Sequence, residues 1–237
     1  MKMKNNLLKI IEVIKNNQSE HELYDPKSSF VQKVSALVFR ADTQQILENA
    51  KEIIVSESYC SGSSILHENG FTKISLYKDP NTQLQLRLHL WPEGVEDTNI
   101  HNHRWNFLSF LVSGDMSFTN WLPSPSNVSS LESALYEVTD ANKDLVKERT
   151  FLRNVSLDAQ CQYRLKGSSL HFCHKDTLHS GSAHKNSVSL MITGTPTKSS
   201  THVVYRSKKR MSVTRKKLSI EQQVDAIVNG FKEQHHG

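Results

Sequence analysis

Cysteine is nearly missing from this chain of 237 residues, which has three, Cys60, Cys161 and Cys173. An odd, sparse set cannot frame a disulfide scaffold and points to a reducing compartment, so the expected location is the cytoplasm. Long apolar runs are missing too: none approaches the roughly 20 residues a helix needs to cross a bilayer. The N-terminus, Met1 to Leu8, opens like a signal peptide with basic residues before an apolar stretch. Glu12 and Lys15 interrupt that stretch and no small-residue cleavage site follows, so no leader is expected. No G-x-S-x-G elbow, phosphate-binding loop or dinucleotide fingerprint occurs. Acid is absent from one segment. Between Arg206 and Lys217 stand seven basic residues (Arg206, Lys208, Lys209, Arg210, Arg215, Lys216, Lys217). No aromatic residue is interleaved after Tyr205, so the stacking surface of a single-strand binder is missing. The run reads as a solvated basic linker, and nucleic acid is not an expected partner.

What is present fits one well-filled core with terminal additions. Leu7, Leu8, Ile10, Ile11 and Ile14 recur at helical spacing. The pattern continues from Ser29 to Val55 as two helices broken near Ala41-Asp42-Thr43, and Gly62 and Gly70 mark loops. From Phe71 the period changes. Leu84-Gln85-Leu86-Arg87-Leu88-His89-Leu90 alternates strictly, as a half-buried strand does. Further strands are predicted over 104–112, 115–121, 161–165, 168–173 and 187–193. Pro123 to Asn127 is a loop, and Leu131 to Lys147 is ambiguous between helix and strand. A tail helix over Ile220 to Val228 starts on Ser219. The order implies an α+β fold with an antiparallel β-barrel or double-sheet core. The expected organisation is a helical region over 1–69 and the barrel over 70–197, with an insertion near 122–160. A basic linker with the C-terminal helix fills 198–237.

The chemistry lies in Asn99-Ile100-His101-Asn102-His103-Arg104-Trp105-Asn106-Phe107. Residues two apart on a strand share a face, so His101 and His103 can meet one metal ion. His179 precedes another alternating run, Val188 to Ile192, and is the third candidate. Three neutral nitrogen ligands suit iron, copper, nickel or zinc. With 12 histidines in the chain, a chance H-x-H pair is the competing explanation. His174 could replace His179, or Asp176 could turn the site into two histidines and a carboxylate. His171 and His184 read as structural or surface groups, His235 and His236 as a solvated tail, and Cys173 as a small buried residue.

Trp91-Pro92-Glu93-Gly94 through Ile100-His101-Asn102-His103, with Gly114 beyond, resembles the cupin superfamily and within it the cysteine dioxygenase branch. Leu178-His179 before Val188-Ser189-Leu190 looks like that family's segment bearing a third histidine. The resemblance implies a cupin β-barrel after N-terminal helices. It also implies one Fe(II) held by His101, His103 and His179, with O2 as co-substrate. Phe107 and Leu108 occupy the place of the usual cupin glutamate. Leu108 and Thr193 stand where mammalian-type members cross-link a cysteine to a tyrosine, and Met191 replaces a histidine. The arginine that grips the amino-acid carboxylate falls at Lys73. The cradle is therefore like a thiol dioxygenase, while much of the thiol-specific apparatus is not.

On the histidines' face, Trp105, Phe107 and Ser109 would wall a cavity, or be ordinary core aromatics and a neighbour. By periodicity alone Arg87 and His89 are the solvent face of their strand. By the resemblance they line the barrel interior, where Arg87 could hold a substrate carboxylate. The expected function is an Fe(II)-dependent, O2-using oxygenase of a small polar molecule such as an amino acid or derivative. A ligand- or metal-binding module without turnover, and a Zn or Mn hydrolase or isomerase, are the alternatives.

Overall fold

The computed structural model describes residues 5–16, 23, 25–56, 64–97, 99–124, 133–140, 146–205 and 212–229. Met1 to Lys4, Cys60, Gly62, Pro125 to Asn127, Arg206, Lys208 to Arg210, His235 and His236 lie outside them. The apolar stripes near the N-terminus form three helices, α1 (Asn6–Lys15), α2 (Ser29–Val38) and α3 (Thr43–Ile54). Each opens on a side chain that satisfies free first-turn amides. Asn5 accepts from the backbone of Leu7 and Leu8, Ser28 from Val31, and Asp42 from Gln45. The tail helix α4 (Ile220–Asn229) follows Ser219, whose hydroxyl accepts from the Gln222 amide while Gln222 Oε1 accepts from the Ser219 amide.

Between them lie strands. The first are β1 (Ile65–Leu66), β2 (Thr72–Lys78), β3 (Gln85–Trp91), β4 (Val95–Glu96) and β5 (Ile100–His101). Next come β6 (Phe107–Ser113), β7 (Asp115–Pro123), β8 (Ser133–Asp140), β9 (Val146–Val155) and β10 (Leu157–Lys166). The last are β11 (Ser169–Cys173), β12 (Leu178–Ala183), β13 (Ser187–Thr193), β14 (Ser200–Tyr205), β15 (Ser212–Thr214) and β16 (Lys216–Lys217). One antiparallel sheet runs β11-β6-β13-β3-β2-β1-β16. The other runs β10-β7-β12-β5-β14-β8-β9-β15, with β4 on β12.

Eight strands make the jelly roll: β11-β6-β13-β3 in the first sheet and β10-β7-β12-β5 in the second. The chain changes sheet at each step except between β7 and β10, which pair with one another. The segment between those two is the inserted hairpin β8–β9, joined to the second sheet through β14. Thus the stretch from Leu131 to Lys147, ambiguous in sequence, is strand wherever it is described. The α+β double-sheet architecture, with N-terminal helices and a tail helix, is the one expected.

Where it is described, the tail is not the linker that its charge suggests. Val203, Val204 and Tyr205 are buried, so the residues just after 198 form β14 instead of a solvated connection. Beyond it, β15 pairs with β9 at the edge of the second sheet, and β16 pairs with β1 at the edge of the first. Arg215 is the single residue between those two strands. It stands at a clasp joining the two sheets.

The first sheet has an apolar outer face. Leu86, Leu88 and Leu90 of β3 pack with Ile74, Phe110, Leu190 and the helical residues Ile10, Val34, Ile46 and Ile54 in one buried cluster. Because side chains alternate, Arg87, His89 and Trp91 then point at the second sheet. The reading that puts Arg87 and His89 in solvent is thereby corrected, since helices cover the leucines and the other face is the barrel interior.

The β2–β3 turn is fixed by Asp79. Its carboxylate accepts from the backbone of Asn81 and Thr82, the Thr82 hydroxyl and the Tyr77 phenol. Burial alone would raise its pKa, but these hydrogen bonds outweigh it and hold the carboxyl below its ordinary value. A depressed folded pKa contributes stability above the unfolded value of about 3.9, lost as pH falls through the folded one. Asp79→Asn is expected to cost about 1–2 kcal/mol at neutral pH and to flatten the acid limb of the stability curve. Melting temperatures from pH 6 to pH 3 check it; an acid limb as steep as the wild type's would refute the assignment.

Candidate metal centre and its cavity

His101 ends β5 and pairs directly with His179 of β12, so their rings share the inner face of the second sheet. The intervening Asn102 points away. Its Oδ1 accepts from the His202 amide at 2.7 Å, and its own amide donates to the His202 carbonyl at 3.1 Å. This grip turns His103 inward, while the His103 amide donates to the Lys175 carbonyl. Ring centres are 5.1 Å apart for His101–His103, 4.7 Å for His101–His179 and 5.0 Å for His103–His179. One nitrogen from each ring lies within 4.8 Å of the others.

The donors fit a metal ion. His103 Nε2 and His179 Nε2 are 3.4 Å apart, and two nitrogens bound at about 2.1 Å to one ion stand roughly 3.0–3.4 Å apart. His179 Nδ1 lies 3.2 Å from the Thr177 carbonyl. A proton donated there leaves Nε2 as a lone pair aimed at His103, which is how backbone groups orient metal-binding imidazoles. Burial lowers all three pKa values, to about 4 for His101 and about 3 for His179, so the rings are neutral at pH 7.

The three histidines open into a cavity of about 220 Å³ between the sheets, lined by Arg87, His89, Lys73, Trp105, Phe107 and Ser109 among others. Trp105, Phe107 and Ser109 take the face that their spacing from the histidines implies, while Arg87 and His89 take the one that the resemblance implied and periodicity did not. The Phe107 ring lies 4.9 Å from the His103 ring. Trp105 lies under the Arg87 guanidinium, 4.8 Å from its ring centre. Position 108 faces the other way: Leu108 is buried in the helix-side cluster. Thr193 is also buried.

His174 and Asp176 do not reach the cavity. Both side chains are 51 % exposed, and Asp176 pairs with Lys175 at 2.9 Å and with Lys198. The β11–β12 turn carries them outward while His179 enters the sheet, which excludes them from the cluster. His184 is exposed, as its surface reading has it. His171 is buried and lines the cavity, its Nε2 2.9 Å from the Tyr163 hydroxyl. Cys173 is buried with Sγ 3.6 Å from His179 Nδ1, and burial pushes its thiol up to about 12. It is no nucleophile at neutral pH.

Sequence reasoning missed His67, Glu68, Lys147, Arg149 and Arg215, all of which line the cavity. His67 stacks on Phe71 at 4.4 Å, and burial holds its pKa well below the ordinary value. Lys147 and Arg149 come from the inserted hairpin, whose polar sequence carries no pattern that would reveal an inward face.

No family model matches this chain, and no curated protein does. Solved structures with some likeness include a cupin superfamily protein from Desulfitobacterium hafniense. It is 10 % identical with a TM-score of 0.31, over 54 % of this chain and 81 % of that one. An acetylacetone dioxygenase from Acinetobacter johnsonii is 16 % identical with a TM-score of 0.30, over 54 % and 61 % of the two chains. An RmlC-like cupin from Shewanella frigidimarina is 14 % identical, again at 0.30, over 60 % and 88 %. The jelly roll is read from the strand order of this chain itself. Among the described residues no helix is long and apolar enough to cross a membrane.

Proposed function

We propose that this chain is a non-heme Fe(II) oxygenase of the cupin type, acting with O2 on a small polar substrate such as an amino acid or a derivative. One observation carries the reading: three neutral imidazoles converge at the wall of a cavity between the sheets, with aromatic rings and unpaired polar atoms on their open side. His101, His103 and His179 would hold the metal. Bound there, Fe(II) supplies open positions where O2 and substrate meet as neighbours.

The rest of the chemistry belongs to the chain. Arg87 is buried, and Gln85 Oε1 takes its Nε and Nη2 at 3.1 and 2.7 Å. With Trp105 beneath it, the guanidinium is fixed in orientation and can take a substrate carboxylate on its remaining edge. Lys73 and His89 flank it as further substrate contacts, and His89 Nε2 is buried without a partner. Trp105 and Phe107 exclude water and shape the cavity. The proposed partner is accordingly a small molecule.

Iron-loaded protein is expected to consume O2 with at least one small amino, thiol or amino-acid compound, and to show no turnover in anaerobic buffer. A screen with an oxygen electrode, repeated under argon, tests this. Turnover under argon would replace the oxygenase by a Zn or Mn hydrolase or isomerase. Bound iron with no O2 uptake across the screen would leave a binding module.

A further inference from the structure

Six cations line the cavity, Lys73, Arg87, Arg104, Lys147, Arg149 and Arg215, against two acids, Glu68 and Asp97. Asp97 takes no part in balancing them. Its oxygens accept from the amide of Gly181, on the His179 strand, at 2.8 Å and from Asn69 Nδ2, before β2, at 2.6 Å. Glu68 is shared by Arg149 at 2.7 Å and Arg215 at 3.5 Å. Asp140 is likewise shared by Arg104 and Lys147. Arg87 and Lys73 have no acidic partner among the described residues.

These cations come from both walls and from the clasp. Lys73 and Arg87 stand on β2 and β3 of the first sheet, Lys147 on β9 of the second, and Arg215 between β15 and β16. Arg87 is 7 % exposed, and Arg215 Nε is buried without a hydrogen-bond partner. Holding a charge such as that of Arg87 away from water without counter-charge is costly. Surface lysines escape by reaching solvent; a guanidinium pinned by Gln85 and Trp105 cannot. A neutral or singly charged ligand would leave most of this field uncompensated.

We propose that the cavity's ligand is a small dianion, held between Arg87 and Lys73 on one wall and Lys147 and Arg215 on the other. The chemistry common to a dicarboxylate and a phosphate monoester meets this requirement. The proposal depends on the metal-enzyme reading only in calling that ligand the substrate. The inserted hairpin and the clasp thereby gain a role, since they carry the cations that face Arg87 and Lys73 across the cavity.

Thermal shift of metal-free protein with succinate, inorganic phosphate and acetate tests this, using the wild type, His103→Ala, Arg87→Met and Lys73→Met. At about 100 times its dissociation constant, a ligand specific to the folded state should raise the melting temperature by roughly 5 °C in a chain of this size. We expect that shift with succinate or phosphate in both the wild type and His103→Ala, and none with acetate. The larger of the two shifts says whether carboxylate or phosphate chemistry is preferred. Arg87→Met and Lys73→Met should lose the shift. Lys73→Met should also melt higher than the wild type without ligand, because it removes an uncompensated charge. No shift with either dianion, an equal shift with acetate, or a shift retained in both Met variants would overturn the proposal. Since the titration contains no metal, failure of the iron reading leaves this result intact.

Discussion

His103→Ala is expected to purify with less than about a tenth of the wild-type metal after identical anaerobic Fe(II) loading, and His101→Ala and His179→Ala should match it. Loss of a group that merely orients a ligand already costs 10–100-fold in metal affinity. Loss of one of three ligands leaves two imidazoles, which cannot compete with water for a divalent ion at micromolar protein. The folded state should tolerate the change. Two neutral rings whose nitrogens face each other at 3.4 Å share at most one proton between them, so removing one deletes little stabilising contact. His174→Ala and Asp176→Ala are the informative controls. Both side chains are half exposed and lie outside the cluster, so metal content should be unchanged. Elemental analysis of the five variants beside the wild type decides it. Full metal in His103→Ala, or metal lost in His174→Ala, would dismantle the three-histidine assignment.

How much of this was legible in the sequence depends on whether a local period had one partner surface or two. The pair His101 and His103 was visible from strand alternation, although β5 ends at His101 and it is the Asn102 hydrogen bonds to His202 that turn His103 inward. The run from Leu84 to Leu90 marked β3 within a residue. What alternation could not say is which half of β3 faces the barrel. In a two-layer sandwich the leucines would face the other sheet and Arg87 the solvent. Here α1–α3 cover the leucines, so the polar half lies inside. The N-terminal helices were visible, but their position over this sheet was not.

The cations were less legible still. Lys147 and Arg149 sit in a polar hairpin, and Arg215 in a run whose composition is that of a linker. Their inward placement is long-range: β9 is held by β8 and by β15, and β15 lies more than 50 residues further along the chain. Charge runs report solvation when nothing pairs with them. The short pairings of β15 and β16 reverse that meaning at one residue, Arg215.

Gly114→Ala should be among the most destabilising single-methyl changes in the chain, by about 3–4 kcal/mol. Gly114 links β6 in the first sheet to β7 in the second, where the chain turns a corner of the barrel. Its φ is +85°, a region that alanine enters only with strain. Space is lacking as well. A Cβ there would fall 2.4 Å from Ser187 Oγ and 2.7 Å from Ser187 Cα. That hydroxyl cannot retreat cheaply, because it accepts from the Asp115 amide at 3.2 Å and donates to the His184 carbonyl at 2.7 Å. The strain must therefore spread into β7, whose Met116 and Asn120 pair with Ala183 and His179 of β12. A melting temperature lower by roughly 7 °C is expected for a chain of this size, with weaker metal retention in the fraction that remains folded. The double variant Gly114→Ala with Ser187→Gly separates the causes. If the hydroxyl alone were the obstacle, most of the stability would return. Because the Ser187 Cα and the positive φ remain, little of it should, and a melting temperature restored to the wild-type value would show that the corner is softer than its geometry implies.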